Sequence, residues 1–157
     1  MDFQIGSFSH TLLHHEDVEV GKYTAIGANC IFHGSDNHIT VIEPKRVSNN
    51  IDTTGYSKGK IIIENDVWIG DGVRILSGVH IGNGVIVGAG AVVANNIDPY
   101  AIAVGNPAKC IKYRFNQEAI EKLLKIRWWD WEPDLVAERK EDFEDIDIFL
   151  KKHAEFT

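Results

Sequence analysis

The chain has 157 residues, enough for one domain or for a domain with an appendage, and its hydrophobic content of 44% and charged content of 25% are ordinary for a globular protein. The formal net charge of −7 argues against nucleic acid and anionic membranes as general partners. No apolar run could span a bilayer, the first residues lack a signal-peptide pattern, and Cys30 and Cys110 form no metal or CxxC motif, so the sequence predicts a cytoplasmic protein.

The first part of the chain contains a repeat with a period of six residues. It is weak at Ile5 and clear at Val20, Ile26 and Phe32. We expect Cys30, in the second apolar position of a repeat, to face the interior as a small hydrophobic residue. The pattern is then interrupted at 33–60, a polar segment with Pro44 that we interpret as a loop leaving the repeat.

The repeat returns without a break between Ile63 and Asp98. A second small or branched residue follows each leading aliphatic residue four positions later. The leading residues are Ile63, Ile69, Ile75, Ile81, Val87 and Val93, and the second residues are Val67, Val73, Val79, Val85, Ala91 and Ile97. This spacing fits neither a helix nor a simple alternating strand, and hexapeptide repeats are typical of β-helices. We therefore predict an all-β solenoid in which three hexads form one triangular coil and the leading residues of successive coils stack.

The periodicity changes after the repeat. Residues 99–115 are predicted to be an extended exit, and helical spacing begins after Asn116, a good helix cap. The domain prediction is a β-helix over 1–113 with the excursion at about 33–60, followed by a helical extension over 114–157. The extension could cover an exposed end of the coil or pack on a neighbouring subunit.

The chain resembles the hexapeptide acyltransferases, and within them the xenobiotic acetyltransferases, which include chloramphenicol, streptogramin and sugar O-acetyltransferases. The resemblance rests on NDVWIG (65–70), PYAIAVGNPAK (99–109) and RFNQEAIEKLLKIRWWDW (114–131). It implies a left-handed parallel β-helix, a homotrimer, acetyl-CoA as co-substrate in the cleft between adjacent subunits, and no required metal. A loop histidine would deprotonate the acceptor hydroxyl.

The resemblance makes His38 the predicted catalytic base, because the histidine of the family lies in a short Asn/Asp-rich string that leaves the coil, and here that string is GSDNH. Without the resemblance, a solvated loop histidine is the simpler interpretation. Imidazole accepts a proton near neutral pH without any perturbation. His33 is the competing candidate, and Asp36 could orient either ring, although a turn residue bonded to its own backbone is the simpler interpretation of Asp36.

The resemblance also predicts the residues around acetyl-CoA. Trp68 would line the acceptor and thiol end, Asp71 would lie near the pantetheine arm, and Gly88 and Ala89 would let that arm approach the backbone. Lys109 and Lys112, with Arg114, form a basic patch that suits the CoA phosphates, although a solvated charge run is the simpler interpretation.

Other functions stay open at this point. His33 and His38 have the spacing of two zinc ligands in γ-type carbonic anhydrases, with a third from His10, His14, His15 or His80. An inactive binding β-helix is the other alternative. For acetyl transfer, a hydroxyl of a sugar or polysaccharide precursor is the preferred acceptor, and an antibiotic of the chloramphenicol or streptogramin type is the alternative.

Overall fold

The computed structural model describes residues 4–5, 17–34 and 57–154. The strands in these ranges are β1 (Gln4–Ile5), β2 (Val18–Val20), β3 (Ala25–Ile26), β4 (Ile31–Phe32), β5 (Ile61–Ile63), β6 (Trp68–Ile69), β7 (Arg74–Ile75), β8 (His80–Ile81), β9 (Ile86–Val87), β10 (Val92–Val93), β11 (Ala101–Val104) and β12 (Lys109–Tyr113). The helices are α1 (Gln117–Ile126), α2 (Pro133–Glu138) and α3 (Ile146–His153), with 3₁₀ helices at Trp128–Asp130 and Lys140–Glu144. No helix in these ranges is long and apolar enough to cross a membrane.

The strands form three sheets that the chain visits in rotation. Sheet 1 has the order β1-β3-β6-β9-β11-β12, sheet 2 contains β4, β7 and β10, and sheet 3 contains β2, β5 and β8. Strands from successive circuits pair in parallel, as in the register of Ile69 with Val87. Each circuit of the chain therefore adds one strand to every sheet.

The hexad pattern places its aliphatic residues inside the three sheets. Leading residues such as Ile69, Ile75 and Ile81 have no exposed surface, and the second residues, such as Val73 and Val85, are equally buried. All twelve inward positions predicted between 63 and 98 are buried, which confirms that prediction. Each such side chain contributes about 1.5–3 kcal/mol on leaving water, so the stack supplies most of the driving force for this part of the fold.

Cys30 lies in the same core, as the sequence predicts. Its side chain has no exposed surface, and its Sγ donates to the Gly70 carbonyl oxygen at 3.3 Å. Burial raises the pKa of the Cys30 thiol, so the group stays protonated and unreactive.

The turns between sheets stack into three corners. The small-residue corner joins sheets 1 and 2, and there the Gly90 amide donates to the Asp71 carbonyl at 2.8 Å. The loop corner joins sheets 2 and 3; the chain leaves it after Gly34 and returns through residues 57–60, where the Gly78 amide donates to the Gly59 carbonyl at 2.8 Å. The tail corner joins sheets 3 and 1 and contains the turn residues Tyr23, Asp66, Gly84 and Tyr100, all with φ between 56° and 70°.

The predicted exit at 99–115 is a β-hairpin. Strand β11 extends sheet 1 in parallel beside β9, and β12 folds back antiparallel on β11. The coil therefore gains one more strand after Pro99, inside the segment that the sequence analysis interprets as an extended exit.

The C-terminal helices pack along the tail corner of their own chain. Asn116 caps α1 by accepting from the Ala119 amide at 2.9 Å, as predicted, and α2 begins at Pro133. The Trp128 ring lies 4.8 Å from that of Tyr23. Instead of covering an end of the coil, the helices run beside successive turns, because the apolar face of α1 meets Tyr100 there.

Candidate functional site

Trp68 lies on the outer face of sheet 1. Its side chain is 53% exposed, which is unusual for a residue of this size. The strand register places Ala25 and Ile86 on either side of it and Ile102 beyond Ile86. The outer face of sheet 1 therefore carries an apolar row centred on an exposed tryptophan.

The small-residue corner adjoins this row. The Asp71 carboxylate accepts from the Ala28 amide at 2.8 Å, so it ties two successive circuits together. Ala89 is exposed, and a Cβ at Gly88 would lie 2.8 Å from Val104 Cγ1, so a larger residue there would displace the Val104 side chain. This arrangement gives Asp71 a structural role and leaves a shallow, small-residue surface beside it.

The two predicted phosphate-binding lysines lie on β12, at the edge of sheet 1. Lys109 pairs with Val104 near the small-residue corner, and Lys112 pairs with Ile102 in the row that contains Trp68. Both lysines are exposed. Directly opposed residues on antiparallel strands share a face, so Lys112 extends the apolar row with a positive charge.

Arg114 does not belong to that basic patch. It follows the far end of β12, and its Nη1 donates to Asp66 Oδ2 at 3.0 Å and to the Gly84 carbonyl at 2.8 Å. The predicted patch therefore contains Lys109 and Lys112, while Arg114 anchors the tail corner.

His33 follows β4 at the loop corner. Its amide donates to the Ile75 carbonyl at 2.9 Å, and the residue is half-buried. His38 and Asp36 lie outside the described residues. Sheet 2 separates His33 from the small-residue corner, so one chain does not bring His33 and Trp68 together.

Of the residues named for the zinc alternative, only His33 and His80 belong to the described ranges, and they lie on different parts of the coil. His80 lies on sheet 3, and its Nε2 is 2.9 Å from Glu64 Oε1. Within the described ranges no three potential ligands from His, Cys, Asp and Glu form a group.

Two features were not predicted from the sequence, one on the outer face of sheet 1 and one at the tail corner. Ile86 and Ile102 join Trp68 in the apolar row. The sequence could have indicated Ile86, because it lies eighteen residues, or one full circuit, after Trp68. The cluster of Asp66, Tyr100 and Arg114 at the tail corner has no comparable signal, because its members are far apart in sequence and follow no common period.

Comparison with known proteins agrees with this architecture. Residues 60–95 match the family described as bacterial transferase hexapeptide (six repeats). A probable macrolide acetyltransferase from Lysinibacillus sphaericus is 36% identical over 134 residues, which cover 78% of this chain and 74% of that protein. A chloramphenicol acetyltransferase from Escherichia coli is 45% identical over 80 residues, but the match covers 51% of this chain and only 38% of that enzyme.

A solved structure gives the same result. The chain is similar, with a TM-score of 0.58 and 26% identity, to a variant of AntD, an N-acyltransferase from Bacillus cereus in complex with dTDP-4-amino-4,6-dideoxyglucose and coenzyme A. That similarity covers 79% of this chain and 68% of AntD. The six-residue repeat, the three-sheet circuit and these relatives together show that the chain belongs to the hexapeptide-repeat acetyltransferases, whose co-substrate is acetyl-CoA.

Proposed function

We propose that this protein transfers the acetyl group of acetyl-CoA to a hydroxyl of a small acceptor, at a site completed by a neighbouring copy of the chain. In this proposal the three-sheet circuits form a left-handed parallel β-helix, as the family relationship implies. The observation that supports the proposal best is the continuous surface that joins Trp68, the small-residue corner and the two lysines of β12.

This surface suits an extended, anionic thioester. Lys109 and Lys112 would bind CoA phosphates, since both side chains are exposed and neither has an ion-pair partner among the described residues. Gly88 and Ala89 would lie along the pantetheine arm, and the exposed Trp68 ring would border the acetyl end. Strands of one sheet are about 4.8 Å apart, so the three steps from Lys112 to Trp68 measure about 14 Å, which suits the length of that arm.

His38 is the proposed general base, and His33 is the second candidate. The base takes the proton of the acceptor hydroxyl as the hydroxyl oxygen forms a bond to the acetyl carbonyl carbon. The carbon–sulfur bond then breaks, and the CoA thiolate leaves and is protonated. A hydroxyl is a weak nucleophile without such a base, so this residue should control the rate of the chemical step.

The position of the loop argues for a shared site. Gly34 and Ser57, which flank the segment that contains His38, both lie at the loop corner, whereas the proposed CoA surface lies on sheet 1 and the small-residue corner. A neighbouring copy whose loop corner faces sheet 1 would bring the base to the thioester. Three-fold packing of a three-sided coil gives three such contacts, so we propose a homotrimer.

Two acceptor classes are proposed. A sugar hydroxyl is the first, and the similarity to AntD in complex with a dTDP-sugar favours it. An antibiotic hydroxyl is the second, and the probable macrolide acetyltransferase, which this chain covers over 74% of its length, favours that class. We propose a cytoplasmic location, where acetyl-CoA is available.

The experiment is an acceptor screen that follows release of the CoA thiol. The purified protein is incubated with acetyl-CoA and with nucleotide sugars, macrolides, chloramphenicol or a streptogramin, and mass spectrometry follows the gain of an acetyl group. We expect one class to be acetylated on oxygen. Specific CoA binding without turnover on any hydroxyl or amine would contradict the enzymatic proposal, and acetylation of amines only would contradict the proposed base.

A further inference from the structure

A cavity of about 450 Å³ lies between the tail corner and the C-terminal helices, away from the proposed acetyl-transfer surface. Its lining residues are Asp66, Tyr100, Arg114, Phe115, Leu123, Trp128, Phe143, Glu144, Ile146 and Phe149. Small-molecule sites typically enclose several hundred Å³ with mostly apolar walls and a few polar groups, which is the character of this cavity. We propose that it is a second binding site, for a small amphipathic amine in its ammonium form.

The walls provide aromatic faces for the apolar part of such a ligand. The Phe143 ring lies 5.0 Å from that of Trp128 and 4.8 Å from that of Phe149, so the three rings form one continuous aromatic surface. Phe143 is 37% exposed, whereas Trp128 and Phe149 are buried. An aromatic surface of this kind attracts a cation through the negative faces of the rings as well as burying apolar area.

The charges of the cavity favour a cation over an anion. Arg114 forms an ion pair with Asp66 at 3.0 Å, so the charges of these two groups largely cancel. Glu144 is exposed and has no ion pair among the described residues, so the lining has an excess of one negative charge. Burial also raises the pKa of Asp66, and Arg114 only partly opposes this effect, so a further cation nearby would stabilise the carboxylate.

A third observation is an unsatisfied polar group. The Tyr100 hydroxyl is buried and has no hydrogen-bond partner among the described residues, and Tyr100 borders the cavity. A buried hydroxyl without a hydrogen-bond partner destabilises the fold, and a ligand that supplies a partner would offset this cost. An ammonium N–H could donate to this oxygen after a small movement of the ring, whereas an apolar molecule could not.

The test uses three phenyl-containing probes of similar size that differ in charge. Binding of 2-phenylethylammonium, 2-phenylethanol and phenylacetate to the full chain is measured by ligand-observed NMR and calorimetry. We expect the ammonium probe to bind with Kd on the order of 1 mM, a modest affinity for a ligand of about nine heavy atoms. The alcohol should bind at least about threefold more weakly, because it lacks the positive charge that the negative lining attracts. The carboxylate should bind more weakly still, because the lining repels its negative charge.

Variants locate the site. Glu144→Gln should weaken ammonium binding by about threefold or more and leave binding of the alcohol unchanged, because it removes only charge. Phe143→Ala should weaken both, because it removes an aromatic wall. Glu141→Gln, on the same 3₁₀ helix but outside the lining, is the matched control and should change neither.

Three results with the probes would overturn the proposal. The first is tighter binding of phenylacetate than of the ammonium probe, which would make Arg114 the recognition group. The second is equal binding of all three probes. The third is the absence of binding at a probe concentration of about 20 mM, well above the expected Kd. Binding that survives both Glu144→Gln and Phe143→Ala would place the ligand elsewhere and would also overturn it.

Discussion

At the scale of single residues, the proposed chemistry depends on two side chains with separable roles. His38 would act only on the acceptor proton, and Lys109 only on a CoA phosphate. A base lowers the barrier of the chemical step, whereas a phosphate contact binds the ground state and the transition state equally. The two residues should therefore affect different kinetic constants.

The first prediction tests this separation. His38→Ala should lower kcat by about 10²–10⁴-fold with little change in CoA affinity, as expected for loss of a general base. Lys109→Ala should raise KM for acetyl-CoA and keep kcat. His33→Ala is the control, with a much smaller effect on kcat. Full turnover by His38→Ala would move the base to His33.

A second prediction at this scale concerns Gly84 at the tail corner. Its φ of 70° favours glycine, and a Cβ there would collide with the Tyr100 ring. Gly72 has nearly the same φ of 69°, but a Cβ there would meet nothing within 4 Å. Gly72→Ala therefore isolates the conformational cost of about 1–2 kcal/mol.

Gly84→Ala should cost more, about 3 kcal/mol or above, because the collision adds to the same conformational cost. Denaturant unfolding at one fixed protein concentration measures both variants. Equal losses of stability would show that Tyr100 moves aside freely, and the cavity would then have no fixed wall.

At the scale of elements, the C-terminal helices are joined by an ion-pair cluster. Asp142, in the 3₁₀ helix Lys140–Glu144, forms an ion pair with Lys152, and its carboxylate lies 3.0 Å from His153 Nε2. Both partners are in the last turn of α3. Hydrogen bonds from Lys152 and then from His153 lower the pKa of Asp142 below its ordinary value of 3.8. A lowered pKa in the folded state contributes stability above about pH 4, and this contribution is lost as pH falls through the lowered pKa.

Asp142→Asn should therefore lower the melting temperature at pH 7, and the difference from the wild type should shrink as pH falls below about 4. Glu141→Gln, an exposed neighbour in the same 3₁₀ helix, should change little. Thermal unfolding across this pH range measures the effect. A difference that stays constant down to pH 3 would mean that the asparagine variant acts through packing alone.

The sequence predicts the interior of the coil well and the outside less well. A period of six assigns each residue from Ile63 to Ile97 to the inside or the outside, because each circuit repeats the same geometry. The spacing of Ile120 and Leu123 indicates the apolar face of α1. The sequence does not indicate which surface this face packs against, because its partner Tyr100 belongs to a different part of the chain. Arg114 lies close to Lys112 in sequence, yet the chain turns at the end of β12 and directs its side chain to Asp66.

The proposed site shows the same limit. Motif strings indicate Trp68 and Lys109, and the structure places them on one continuous face. Ile86 and Ile102 complete this face only once the strand register is known. His38 and Asp36 lie outside the described residues, so their roles stay predictions.

At the scale of the whole molecule, the three corners have different neighbours. The tail corner is covered by the chain's own helices, the loop corner carries the excursion, and the small-residue corner adjoins the exposed face of Trp68. Among the described residues, the C-terminal helices cover neither the loop corner nor the small-residue corner, and we propose that these two corners contact other copies. An exposed tryptophan in an apolar row is typical of an interface, which supports the proposed assembly.

The central claim is that one copy supplies the base and another supplies the CoA surface. The most direct measurement is complementation between two inactive variants. His38→Ala removes the base, and Ala89→Arg, at an exposed position, blocks the CoA surface without disturbing the core. Each variant alone should show almost no acetyl transfer.

The two variants are mixed in equal amounts, dissociated and reassembled, and thiol release is measured with the acceptor found in the screen. In a randomly reassembled trimer, about one site in four combines an intact base from one copy with an intact CoA surface from its neighbour. The account predicts recovery of about a quarter of wild-type activity. If trimers of mixed composition form but activity does not return, both groups act within one chain and the shared-site account is wrong.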